Sequence, residues 1–196
     1  MTAKNAPRVG VLAIQGDYAA HAAALAEAGA EPVEVRKPEE LAGLAGLVLP
    51  GGESTTMLKF LEKQGFFELL KDFCRQKPVF GTCAGVILLA REVRNPTQKS
   101  LGVLDAVVER NAYGRQIDSA IVTAPTGLGE EPLEMVFIRA PQIVELGAGS
   151  DVLAEREGTP TLVRQGQILA ATFHPELSED RRVHRAFVQM VLEAQK

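Results

Sequence analysis

The chain has little cysteine, little histidine and no surplus of positive charge. Two cysteines in 196 residues, Cys74 and Cys83, make no disulfide framework and suit a reducing, cytoplasmic setting. Three histidines beside two cysteines supply no metal-ligand spacing, so no metal is expected. The formal net charge is -4. A nucleic-acid partner asks for a basic face, which is missing. No apolar run approaches the roughly 18 residues that a membrane helix requires. Met1 to Arg8 is short and polar, with no apolar stretch behind it of signal-peptide length. No G-x-G-x-x-G follows the first strand-like run, and Gly51-Gly52 lacks the Lys-Ser/Thr of a phosphate loop. Nucleic acid, membrane and nucleotide cofactors are therefore not expected. Nor does a repeat, low-complexity stretch or linker divide the chain. With 46% hydrophobic and 23% charged residues, 1–196 is expected to form a single domain.

What is present is alternation. Val9 to Ile14 is a continuous apolar run, as in a strand buried on both faces. Tyr18 to Ala28 is Ala-rich and helical, ending at Gly29. Pro32 to Val35 and Leu47 to Leu49 read as further strands, the latter stopped by Pro50-Gly51-Gly52. Ser54 is placed as the N-cap of a helix with Met57, Leu58 and Leu61 on one face. Phe66 to Cys74 continues as helix. Pro78 to Phe80 is a fourth strand, followed by Gly81-Thr82-Cys83-Ala84-Gly85 and a helix through Ala90. Repeated strand–helix alternation predicts an α/β fold, an open and mostly parallel sheet with helices on both faces. Leu101 to Val108, Ala120 to Thr123, Met135 to Ile138, Val152 to Ala154, Thr161 to Arg164 and Ile168 to Thr172 read as short strands, expected as antiparallel additions. Glu179 to Gln195 reads as a terminal helix.

Gly81-Thr82-Cys83-Ala84-Gly85 has the G-x-nucleophile-x-G form between a strand and a helix, with cysteine where hydrolases carry serine. Any larger residue at the glycines would collide with the adjoining strand and helix. The helix start favours the thiolate, the reactive form. The bland reading is a small core cysteine in a Gly-rich turn. Phe173-His174-Pro175-Glu176 follows the last strand. In extended chain, residues two apart share a side, so His174 and Glu176 are expected to pair, with Pro175 holding the segment extended. The carboxylate would take the Nδ1 proton and leave Nε2 free for the thiol. Alone, H-P-E is a surface turn; beside the elbow it reads as the rest of a catalytic set. Leu49-Pro50-Gly51-Gly52-Glu53-Ser54 ends another strand, and its backbone N–H groups suit an oxyanion hole, with Ala84 N–H as the second donor. Gln15 ends the first strand at the same edge. Cys74 is expected in the core, while His21 and His184 are expected to be solvated or locally bonded.

These motifs together resemble the class I (triad) glutamine amidotransferases. Leu49 to Met57, Val108 to Asn111 with Gly114-Arg115-Gln116, Phe137 to Pro141, and Phe173 to Leu177 look like the family of glutaminase subunits that serve pyridoxal 5′-phosphate synthases. The resemblance spans about Val9 to Val191. It implies a flavodoxin-like three-layer fold and hydrolysis of L-glutamine to glutamate and ammonia. It implies Cys83 as nucleophile, His174 and Glu176 as its partners, and an oxyanion hole at Gly52 and Ala84. Gly51, Gly52, Glu53, Arg110, Ile138, Arg139 and Gln15 would bind glutamine, with arginine on the α-carboxylate and Glu53 on the α-ammonium. Ammonia would pass to a separate barrel-shaped synthase subunit in a hetero-oligomeric complex, and the chain itself would hold no pyridoxal phosphate. The family's glutaminase is nearly silent until that subunit docks, which implies a misaligned oxyanion hole and a peptide flip near Gly51-Gly52.

Other readings stay open on the residues alone. The chain could serve a different synthase, be a non-catalytic regulatory protein on the same fold, or be a cysteine peptidase or small-molecule hydrolase. Arg110 and Arg139 speak for a free amino acid, and the intact Cys83, His174 and Glu176 speak against a dead protein.

Overall fold

The four strands expected in the first half all form, and all run parallel. The computed structural model describes residues 6–63, 65–110 and 119–196. In it, β1 (Arg8–Leu12), α1 (Tyr18–Glu27), β2 (Glu31–Val35), β3 (Gly46–Leu49), α2 (Ser54–Lys63), α3 (Phe66–Gln76), β4 (Val79–Thr82) and α4 (Ala84–Leu89) follow one another. The second half adds β5 (Ala90–Arg94), β6 (Leu104–Glu109), β7 (Ala120–Thr126), β8 (Gly129–Phe137), β9 (Gln142–Leu146), β10 (Asp151–Arg156), β11 (Thr159–Gln165), β12 (Ile168–Ala171) and α5 (Arg182–Glu193).

The main sheet has nine strands in the order β2-β1-β3-β4-β12-β11-β10-β7-β8. The five from β2 to β12 are parallel, and β11, β10, β7 and β8 extend the sheet antiparallel. Two expectations for the second half need correction. The last strand is no antiparallel addition: β12 runs parallel to β4, Ile168 opposite Val79 and Ala171 opposite Thr82. A short apolar run has no mark of direction, so only the pairing decides it. The strand around Leu104 leaves the main sheet and joins β5 and β9, neither of them foreseen, in a separate three-stranded sheet.

Alternation along the central strands builds two cores. Leu47, Leu49 and Val79 join Met57, Leu61, Phe66 and Leu70 on the face covered by α2, α3, α4 and the small sheet. Val48, Phe80 and Leu169 join Leu25, Val183, Phe187 and Val191 on the face covered by α1 and α5. These side chains are all fully buried, each worth about 1.5–3 kcal/mol over exposure. The α2 start differs from expectation. Ser54 is its first residue and donates its hydroxyl to Gln98 Oε1 instead of capping. Glu53 caps, its carboxylate accepting Thr56 N–H at 2.8 Å and Thr55 N–H at 3.3 Å. Among the described residues, no helix is long and apolar enough to cross a membrane.

Candidate active site

Four neighbouring parallel strands, β1, β3, β4 and β12, end at one edge of the sheet, where open α/β sheets bind ligands. The chain leaving each carries one candidate segment: Gln15-Gly16, Gly51-Gly52, Cys83 and His174.

Cys83 is the single residue between β4 and α4. Its backbone is strained, with φ 47 and ψ -104, a conformation that side-chain-bearing residues avoid. The strain is held from both sides, by Cys83 N–H on Ala171 O at 2.9 Å and Val86 N–H on Cys83 O at 3.1 Å. The flanking glycines are required sterically. A Cβ on Gly81 would lie 2.6 Å from Leu89 Cδ1, and one on Gly85 only 2.0 Å from the Leu49 carbonyl oxygen. Sγ lies 3.9 Å from the carbonyl oxygen of Ile138, itself half-exposed beside the site.

His174 sits just past β12, its N–H bonded to Val136 O at 2.8 Å. Its Nδ1 meets Glu176 Oε1 at 2.7 Å, and both side chains are buried. The expected pairing is present, but the extended geometry is not. Pro175–Leu177 is one turn of 3-10 helix, and this turn brings Glu176 back to His174. Proline fixes φ and fits the first position of such a turn as well as it fits a strand. Burial pushes the His174 imidazole down. Hydrogen bonds and charge from Cys83 and Glu176 outweigh burial and hold it up at about 10. The imidazole, lying beside Cys83, keeps its proton at neutral pH.

The β3–α2 loop closes over this pair. Gly51 lies against both side chains: a Cβ there would be 2.4 Å from His174 Cε1 and 3.4 Å from Cys83 Cβ. Gly52 has φ 134, open to glycine. Gln15 Nε2 donates to Glu53 O at 2.7 Å and ties the β1 end to this loop. Ala84 is the first residue of α4 and is buried. Arg110, just past β6, is ion-paired with Glu53 at 3.3 Å. Burial pushes the Glu53 carboxyl up, but bonds from Thr55 and Thr56 overcome this and lower it to about 2. Arg139 is exposed and adopts φ 46, an uncommon backbone for arginine, next to Ile138. The candidates Asn111 and Gly114-Arg115-Gln116 lie outside the described residues.

Two histidines depart from expectation. His21 and His184 are neither solvated nor local: both are fully buried behind the site. His21 contacts His184 Nε2 and Thr82 Oγ1, each at 3.0 Å, and lies 3.2 Å from Glu176 Oε2. Their burial could have been read from spacing, since His21 falls four residues before Leu25 and His184 three before Phe187 on apolar stripes. Their partners could not. Cys74 is in the core as expected, its thiol pushed up to about 12 by burial. Among the described residues, Asp17, His174 and Glu176 place ligand atoms within 4.8 Å of one another.

The chain as a whole has counterparts among known proteins. The pyridoxal 5′-phosphate synthase subunit PdxT of Koribacter versatilis (strain Ellin345) is 59% identical over 184 residues, 94% of this chain and 95% of that one. The protein of the same name in Solibacter usitatus (strain Ellin6076) is 55% identical, covering 92% of this chain and 97% of that one. A crystal structure titled as a glutamine amidotransferase superposes with TM-score 0.87 at 48% identity, over 93% of this chain and 98% of that one. The profile of the SNO glutamine amidotransferase family matches residues 11–193, from β1 to the last turn of α5. With residues 11–193, nearly its whole length, covered by that match, this chain belongs to the SNO glutamine amidotransferase family.

Proposed function

We propose that the chain is the glutaminase subunit of a pyridoxal 5′-phosphate synthase, a single cytoplasmic domain over 1–196. It hydrolyses L-glutamine to glutamate and ammonia and passes the ammonia to a separate barrel-shaped synthase subunit. The observation that carries this reading is the His174–Glu176 pair at 2.7 Å beside the strained Cys83, in a chain 59% identical to a protein named for that synthase. Two free, buried cysteines fit the reducing compartment.

The chemistry that this geometry supports is nucleophilic catalysis. Cys83 Sγ, its proton passed to His174, attacks the side-chain amide carbon of glutamine. The carbonyl electrons move onto oxygen, where N–H groups of Gly52 and Ala84 stabilise the charge. One such donor is typically worth about 10²–10³ in rate. His174 then gives its proton to the departing nitrogen, ammonia leaves, and a glutamyl thioester remains on Cys83. Water, deprotonated by His174, attacks the thioester carbon; the C–S bond breaks, the proton on His174 returns to Cys83 Sγ, and glutamate leaves. Proton transfer by a positioned imidazole adds about 10²–10⁴. Glu176 keeps the ring in the tautomer and orientation that both steps need.

Substrate recognition rests on Glu53, Arg110 and Arg139. The Glu53–Arg110 pair places opposite charges side by side, a match for the ammonium and carboxylate of a free amino acid. Gly51, Ile138 and Gln15 line the same edge. The test is glutamate release from L-glutamine by the chain alone and with a pyridoxal 5′-phosphate synthase subunit, beside Cys83→Ala. Activity that rises on mixing and vanishes in Cys83→Ala is expected. Activity indifferent to the synthase subunit would remove the partner, and none in either case would remove the enzyme.

A further inference from the structure

We propose that His21 is a positioning residue that holds Glu176 from behind in one protonation pattern set by His184. This rests on the reading of Cys83, His174 and Glu176 as the reacting groups. Glu176 lies between two imidazoles, one on each oxygen. Oε1 meets His174 Nδ1 at 2.7 Å, and Oε2 lies 3.2 Å from His21 Nε2, off the line of a full hydrogen bond. Oε2 is buried and makes no full hydrogen bond among the described residues, and the His21 ring lies beside it. The same His21 Nε2 is 3.0 Å from the hydroxyl of Thr82, the residue before Cys83. One ring on α1 therefore touches both the elbow that carries the sulfur and the carboxylate that orients its base.

The protonation pattern follows from counting donors. An ionised carboxylate only accepts, so the nitrogen that faces it must carry the proton; a bare nitrogen would set its lone pair against the charge. His21 is fully buried, and burial, the leading cause, holds its imidazole below its ordinary range and so neutral. A neutral imidazole has one proton. With that proton on Nε2, Nδ1 is bare and accepts the Nε2–H of His184 at 3.0 Å. His184 then has a bare Nδ1, the very atom that is buried without a partner among the described residues. The opposite pattern would bury an unpaired N–H at His184 and turn a lone pair toward Glu176. It is penalised at both ends. Phe80 closes the assembly edge-on to both rings, at 6.0 and 5.7 Å between centroids.

Two readouts test this. Nitrogen-15 NMR of the imidazoles in the free chain should show His21 protonated at Nε2 with Nδ1 bare. It should also show a downfield Nδ1 proton on His174, bonded to Glu176. His21→Leu should broaden or abolish that His174 proton. With the synthase subunit present, it should lower kcat by about 10–100-fold while KM for glutamine stays within about twofold. His21→Gln puts an amide N–H where Nε2–H stood; it should recover the His174 proton and bring kcat within about tenfold of the parent. It also covers the case in which His21→Leu fails to fold. His21 protonated at Nδ1, or a His174 proton indifferent to His21→Leu, would overturn the proposal. So would a folded His21→Gln no better than His21→Leu in kcat. A parent chain without glutaminase activity would overturn the functional reading instead, and the NMR readout would still decide the role of His21.

Discussion

The Leu49 carbonyl oxygen and the α-carbon of Gly85 are so close that a methyl group on Gly85 would lie 2.0 Å from that oxygen. The contact joins the end of β3 to the first turn of α4, and so fixes the Gly51-Gly52 loop relative to Cys83. Both sides are backbone, and neither can rotate away. Gly85→Ala is therefore expected to lower stability by at least about 2–3 kcal/mol, in the range of overpacked cores. Whatever protein folds should lose glutaminase activity with the loop displaced. A urea melt beside an activity assay checks both. A Gly85→Ala protein of parental stability would mean that the β3–α4 approach is looser than this contact.

His174 offers a second check. Burial lowers its imidazole, and Cys83 heads the groups that raise it to about 10, with Glu176 next. Cys83→Ala removes the leading raising group and leaves burial in place. The His174 midpoint, followed by NMR, is expected near 10 in the parent and well below that in Cys83→Ala. Equal midpoints would show that Glu176, and not Cys83, holds the proton on His174.

The elbow was legible because its demands are local. Gly81, Cys83 and Gly85 meet their steric partners through a turn that five residues define, so spacing alone told what the backbone does. His174 and Glu176 were legible as a pair for a related reason: two residues apart, they meet in strand or turn alike, though the turn was not foreseen. His21 was not legible. Its partners Thr82 and His184 are 61 and 163 residues away, and only the stacking of α1 and α5 on one face of the sheet brings them together. The direction of β12 and the separate small sheet were hidden likewise, since both are set by pairing between distant segments.

Glu53 caps a helix and is proposed to recognise the substrate, and the two roles can be separated. Its carboxylate caps α2 and pairs with Arg110, yet its side chain is 53% exposed. The ion pair is thus worth at most about 1 kcal/mol, and loss of the cap about 0.5–2 kcal/mol. Glu53→Gln keeps an acceptor for the cap and drops the charge. It is expected to stay within about 1 kcal/mol of the parent, the most that the exposed ion pair is worth, while KM for glutamine rises about tenfold or more. Glu53→Ala should lose the cap as well. A Glu53→Gln enzyme with parental KM would assign the α-ammonium of the substrate to another group.

The buried histidines set the acid limit of the fold. Burial, then the charge of Arg181, lowers His184 from its ordinary 6.5 to about 3, and burial lowers His21 as well. Both stay neutral in the folded chain where the unfolded chain would take up protons. Their contribution is therefore complete above pH 6.5 and is lost as pH falls from 6.5 toward 3, at up to about 1.4 kcal/mol per pH unit for each ring. The urea midpoint of the parent should fall steeply across that window. His184→Gln keeps a donor for His21 Nδ1 and removes one titrating ring, so its midpoint should fall less steeply, by up to one proton. If both proteins showed the same slope, His184 would be charged in the fold. Its Nδ1 would then carry a proton buried without an acceptor, and the donor pattern that places a proton on His21 Nε2 would fail with it.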